Sequence, residues 1–288
     1  MDQQPKKKWG DRPDGQLVRG VDSVHAIIPF LLPKRCDAEV FLRQQIDVTE
    51  LKKHLDELNA QQDFRTTVFH AVVTAAAKTV YMRPLLNRFI ENRHYFDRNR
   101  VTISFMAKRQ FTDHAEEVQM ILDAKPDDTL TTISRRIVGD VSEARHGEGQ
   151  GADRTLDILA KFPRPIMAVL MAGFRFLDRH GWLPASFCAI DPNHTTVMLS
   201  NLGSIKSDAA YHHLNNFGNN SIFATIGYIQ PQQVLMPDGT TQTREIMELC
   251  FTLDERIADG FYFARSVQLL KEYLQQPELL DRPIKEEI

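Results

Sequence analysis

Several things are scarce in this chain, and each scarcity excludes a class of protein. Cys36, Cys188 and Cys250 are odd in number and far apart. Their spacing supports neither a disulfide framework nor a metal-ligand set, and fits three packed thiols in a reducing compartment. No apolar run reaches membrane-spanning length, and Met1 to Gly20 is polar and charged, unlike a signal peptide. A basic excess is also missing: 35 Lys and Arg stand against 38 Asp and Glu, for a net charge of −3. Nothing therefore marks a nucleic-acid partner, and Lys6-Lys7-Lys8 reads as a solvated tail. The expectation is a cytoplasmic, soluble protein without a metal, a membrane partner or a nucleic-acid partner.

What is present is ordinary globular material. With 42% hydrophobic residues over 288 positions, the chain has enough apolar surface for one large core. Residues 1–24, with Pro5, Gly10, Pro13 and Gly15, read as a flexible N-terminal arm, and 25–288 as a single domain. The segment Ile27-Ile-Pro-Phe-Leu-Leu-Pro-Lys-Arg is broken twice by proline, which predicts an extended, packed stretch rather than a helix.

Beyond it, Glu39–Asp47 reads as a strand, and Thr49 as the cap of a helix carrying Leu51, Leu55 and Leu58. Between Thr66 and Tyr81, Phe69, Val72, Val73, Ala76 and Val80 make one helical face, closed by Pro84. Val101–Ala107 and, more weakly, Val118–Leu122 read as strands, and Thr129–Ala144 as a polar helix. Gly147–Ala152 is a loop by composition. Two proline-punctuated helices follow at Leu156–Phe162 and Pro165–Arg179; the second is apolar nearly all round and is expected to be buried, against another subunit if not within the chain. Strands at Thr195–Ser200 and Ser221–Tyr228 then lead to a hairpin turned at Pro237–Thr240. Mixed elements without strand–helix alternation predict an α+β fold, not a doubly wound one.

The most informative stretch is Met247–Lys271. Met247, Leu249, Phe251 and Leu253 alternate with polar neighbours as a strand does. A charged turn, Asp254-Glu255-Arg256-Ile257-Ala258-Asp259-Gly260, delivers the chain to a helix with Phe263, Val267, Leu270 and Leu274 on one stripe. Such a turn holds side chains on a rigid scaffold, which suits chemistry. It also suits plain structure: Asp259 as a helix cap, and Arg256 paired with Asp254 or Asp259.

The turn resembles the Asp-His-Arg-x-x-Asp-Gly signature of dihydrolipoamide acyltransferase (E2) catalytic domains, relatives of chloramphenicol acetyltransferase. Glu255 stands where that family has its catalytic His. Thr196-Val-Met-Leu-Ser-Asn-Leu-Gly203, the alanine-rich helix ending in Arg83-Pro-Leu-Leu-Asn87, and Ile46-Asp-Val-Thr-Glu-Leu51 are similar to family stretches in the same order. The resemblance implies a chloramphenicol acetyltransferase-like two-layer sandwich with a mixed sheet and packed helices, and a homotrimer with sites between subunits. It implies an acyltransferase acting between coenzyme A (acyl-CoA) and a small-molecule thiol, hydroxyl or lipoyl acceptor, free-standing because residues 1–24 are too short for a lipoyl domain.

By the same resemblance Ser200 is the oxyanion donor, Glu255 holds the base position, and Asp259 orders the site through ionic contacts with Arg256. Asn201, Gly203, Arg256 and His213 are candidate substrate-binding residues. His212-His213 lies in a polar loop after the Ser-Asn-Leu-Gly motif and is a candidate substitute base across an interface. Acyl transfer needs a proton acceptor and an oxyanion donor, and a carboxylate is a weaker base than imidazole unless desolvated. A catalytically degenerate trimeric scaffold or acyl-CoA-binding protein is the alternative. An unrelated small-molecule binder is the third reading.

Overall fold

The computed structural model describes residues 8–108, 117–146 and 162–285. Lys6 and Lys7, His114, the Gly147–Ala152 loop and the helix expected at Leu156–Phe162, its last residue apart, lie outside the described residues.

Around one long strand the sheet is assembled. β10 (Thr241–Asp254) pairs antiparallel with β2 (Glu39–Asp47) along one edge, and with β9 (Gln230–Leu235) and then β8 (Ile222–Ile226) along the other. Next come β7 (Val197–Asn201), parallel to β8, then β5 (Val101–Lys108), parallel to β7, and β6 (Glu117–Ala124), antiparallel to β5. A separate sheet holds β1 (Gly15–Leu17), β4 (His94–Arg98) and β3 (Arg88–Glu91). The strand period divides the large sheet into two faces. Met247, Leu249, Phe251 and Leu253 join Ile222, Ala224, Val197, Leu199 and Ile103 in one buried core. Cys250, Thr252, Thr225 and Ser200 fall on the opposite face.

Helices cover the core face: α2 (Thr49–Asn59), α3 (Val68–Met82), α4 (Leu130–His146) and α7 (Gly260–Gln275). In α3 nearly every residue from His70 to Val80 is buried. Its short Ala75, Ala76 and Ala77 let the sheet and α7 approach from different sides. Thr67 and His70 form a reciprocal capping box, and burial depresses the His70 imidazole to about 4. In α7 Phe263, Val267, Leu270 and Leu274 are buried, as the stripe predicts, and Pro277 follows its end. At α2 the cap is supplied two residues earlier than expected: Asp47 accepts from the Thr49 backbone and hydroxyl, while Thr49 Oγ1 accepts from Glu245 N.

Two expectations need correction. Residues 23–31 form a helix, α1 (Ser23–Leu31), with Pro29 inside it. Asp22 caps α1 by accepting from Val24 N and His25 N, so the first turn is fixed before the proline, which removes a single ladder hydrogen bond near the helix end. Residues 8–24 do not run free of the fold: β1 joins the small sheet, and Arg12 is buried against Asp14 and Asp178. α5 (Arg164–Arg179), expected to be buried against another subunit if not within the chain, is anchored chiefly at its C-terminal end. Asp178 alone is buried in it, and Ile166, Val169, Phe176 and Leu177 remain exposed within the chain. A short helix, α6 (Ala185–Ile190), follows.

Candidate active site

The two motif turns lie at different places on the sheet. Ser200 sits near the end of β7 on the face away from the core helices, half-buried, opposite Thr225, which is in turn opposite Cys250. Glu255 lies five residues beyond Cys250, just past the end of β10. At about 3.3 Å per residue along a strand and about 4.8 Å between strands, Ser200 and Glu255 of one chain are roughly 15–20 Å apart. One protomer does not bring them together.

Most of the remaining motif side chains are committed to holding the backbone. Asn201 Oδ1 accepts from Ser204 N at 3.3 Å and so caps the short 3-10 turn that follows β7. Gly203 faces the end of β8: a Cβ there would stand 2.6 Å from the Gly227 carbonyl oxygen. Asp254, fully buried, takes a two-pronged pair from Arg256, with Nε and Nη2 each donating at 2.7 Å. Arg256 Nη1 donates to the Leu32 carbonyl, which ties the turn to the end of α1. Burial opposes the Arg256 charge, but the Asp254 hydrogen bonds and charge outweigh it and raise its pKa.

Asp259 accepts from Tyr262 N at 2.7 Å as the N-cap of α7. The expected Asp259–Arg256 contact is therefore replaced by Asp254–Arg256. The reason is local: Asp254 ends a strand whose side chain points inward, whereas exposed Asp259 meets the unpaired donors of the helix start.

Two motif side chains have no such duty. The Ser200 hydroxyl and the exposed Glu255 carboxylate make no side-chain hydrogen bond or ion pair among the described residues. His213 is exposed too, and its neighbour His212 stacks on Phe223 with ring centroids 4.1 Å apart. His212 Nδ1 lies 2.8 Å from the His213 carbonyl, so it donates there. Tyr211, on the same loop, meets Phe41 edge-on, and Ala210 O accepts from Thr225 Oγ1. This loop roofs the sheet face that carries Ser200.

A buried charge network that the sequence did not disclose lies elsewhere. His194 touches Asp178 through Nε2 at 3.1 Å and Asp191 through Nδ1 at 2.5 Å. Burial disfavours its charge, but the two carboxylates prevail and raise its pKa to about 9. Arg12 joins Asp178 to Asp14, and Arg98 donates to Asn219 Oδ1 and to the His194 carbonyl. Asp14, Cys188 and His194 could offer ligand atoms within 4.8 Å of one another. Their chemistry is wrong for a cation: His194 holds its proton between two carboxylates, Arg12 already neutralises Asp14, and burial, with the charge of Asp14, pushes the Cys188 thiol up to about 12. The residues come from positions 12, 14, 98, 178, 191 and 194, so no local spacing could have shown them.

Residues 189–281 match the family of 2-oxoacid dehydrogenases acyltransferase (catalytic domain). That span holds both motif turns. No curated protein matches the chain. Among solved structures, a probable dihydrolipoamide acetyltransferase from Listeria monocytogenes shares 14% identity with a TM-score of 0.59, over 91% of this chain and 95% of that one. The dihydrolipoamide acetyltransferase of Azotobacter vinelandii shares 16% with a TM-score of 0.60, over 91% and 93%. A chloramphenicol acetyltransferase shares 10% with a TM-score of 0.56, over 90% and 99%. The mixed sheet with its covering helices is thus the fold of those enzymes. Residues 189–281 thus carry the pattern of the acyltransferase catalytic domain, and the chain is similar in fold to dihydrolipoamide and chloramphenicol acetyltransferases.

Proposed function

We propose that this protein is an acyltransferase that moves an acyl group between coenzyme A and a thiol or hydroxyl acceptor, in a reducing cytoplasm, as a homotrimer. One observation carries the reading. Of the motif side chains, Asn201, Asp254, Arg256 and Asp259 are held by structural partners, while Ser200 and Glu255 are left unengaged among the described residues and accessible. A strand-end hydroxyl and a turn carboxylate kept free on a rigid frame are the two groups that acyl transfer requires.

Ser200 donates to the oxyanion of the tetrahedral intermediate, and Glu255 takes the acceptor's proton. Their separation within one chain supports self-association, with Ser200 of one copy facing Glu255 of another. Asn201, Gly203 and His213 line the approach to Ser200, and Arg256 with Asp259 keeps the Glu255 turn in place. The acyl donor is bound as substrate, and no metal takes part.

The test is turnover of acetyl-CoA against a panel of thiol and hydroxyl acceptors. Ser200→Ala should lower kcat by about 10²–10³, the usual cost of one oxyanion donor, and Glu255→Gln should lower it as well. Unchanged turnover in both variants refutes the assignment.

A second reading, a silent trimeric scaffold or acyl-CoA-binding protein, is favoured by the exposure of Glu255, since a solvated carboxylate is a weak base. It predicts no wild-type turnover, and measurable turnover that depends on Ser200 rules it out.

A further inference from the structure

A second site is visible on the far side of the Glu255 turn. A cleft of about 700 Å³ opens between the end of α1, the β3–β4 hairpin, the C-terminal half of α5 and the loop at 216–218. Lys34, Arg35, Arg93, Arg175, Arg179 and Arg256 all line it. Its acidic members are Glu91 and Asp178.

Those charges do not cancel. Asp178 is already taken by Arg12 and His194, and Arg256 by Asp254. Lys34, Arg35, Arg93, Arg175 and Arg179 have no ion-pair partner among the described residues. Against these five cations stands Glu91, whose carboxyl is pushed up by burial and then by the nearby charge of Asp178. Net positive charge therefore remains at the cleft even with Glu91 ionised.

The floor differs from a merely basic surface. Arg35 is 7% exposed, yet it meets only neutral acceptors, with Nη1 and Nη2 donating to the Asn215 and Gly218 carbonyls. Its Nε is buried with no partner at all. Asp254 and Glu91 act on it only through space, and burial still disfavours its charge; a buried guanidinium with no carboxylate bonded to it is costly, and a buried donor left unsatisfied adds to that cost.

The rim repeats the pattern. Arg175 and Arg179 stand four residues apart on α5, both exposed and both lining the cleft. Like charges at this spacing repel, though the helix C-terminus offsets part of the repulsion. Across from them Arg93 occupies a left-handed backbone conformation, φ 64°, at the hairpin turn, and its guanidinium lies 4.9 Å from the Phe30 ring centroid.

We propose that this cleft binds an oligophosphate, a diphosphate being the smallest anion that its lining matches. Guanidinium forks fit phosphate oxygens, and each phosphate carries about −1.5 to −2 charges at neutral pH, so one phosphate leaves much of the cleft uncompensated. The inference uses neither Ser200 nor Glu255.

Calorimetric titration of the intact protein with inorganic pyrophosphate, ADP, orthophosphate and sulfate tests it. The expected result is one pyrophosphate per chain, bound at least tenfold more tightly than orthophosphate or sulfate and weakened by added salt. The double variant Arg175→Gln/Arg179→Gln, altered only at exposed positions, should bind at least tenfold more weakly while melting like the wild type. Tighter ADP binding identifies a nucleoside-borne diphosphate, and tighter pyrophosphate binding a free one. The proposal falls if millimolar pyrophosphate gives neither heat nor a melting shift. It also falls if the double variant binds as well as the wild type, or if sulfate binds equally well. An Arg35→Gln variant that folds should lose more affinity than either rim substitution alone.

Discussion

Replacing Asp254 with Asn tests whether the charged turn is held by its internal ion pair. The substitution keeps the size of the side chain and removes one charge. Asp254 is fully buried and Arg256 is 3% exposed, so Arg256 would keep its charge with no carboxylate hydrogen-bonded to it. Removing one partner of a buried pair costs about 3–5 kcal/mol, mostly through the charge left behind. The Leu32 carbonyl would still accept from Nη1, which places the expected loss toward the lower end, about 3 kcal/mol. Because Arg256 tethers the turn to α1, the loss should appear in global unfolding.

Urea denaturation at fixed protein concentration measures it, with the slope unchanged if only stability is altered. Arg256→Met should cost a similar amount, since it strands the carboxylate. The double variant Asp254→Asn/Arg256→Met should recover most of the loss, as buried pairs replaced on both sides often do. The coupling energy from this cycle should then be at least about 2 kcal/mol. A single-variant loss below about 1 kcal/mol, or a coupling energy near zero, would show that the pair is not what holds the turn.

Two further predictions concern the buried network and the Ser-Asn-Leu-Gly motif. His194 has a folded pKa of about 9, above its ordinary 6.5, so its contribution is complete below about pH 6.5 and lost as pH rises through 9. The difference corresponds to about 3 kcal/mol, and urea midpoints of wild type and His194→Gln should converge between pH 6 and pH 10; parallel profiles would contradict the assignment. Gly203→Ala would bring a Cβ to 2.6 Å from the Gly227 carbonyl oxygen and should cost about 1–3 kcal/mol by overpacking, seen as a lower melting temperature. Wild-type melting would show that Gly203 is not there for close approach.

The sequence carried the strands and helices of the sandwich because those elements have local periods. The alternation at Met247–Leu253 and the stripe at Phe263–Leu274 are burial patterns fixed by backbone geometry, and both lie where the spacing places them. It misjudged α1, because an Asp22 cap outweighed Pro29 in a helix too short to depend on every ladder bond. For α5, an apolar composition does not say which partner covers it.

At the candidate site the motif spacing singled out Ser200 and Glu255, but could not choose between Asp254 and Asp259 as the partner of Arg256. That choice depends on which carboxylate points into the interior, and only the strand register decides it. The network around His194 and the basic cleft were invisible for the same reason. Their residues lie far apart in the chain, and close-range electrostatics exists only after long-range packing has brought the charges together and taken away their water.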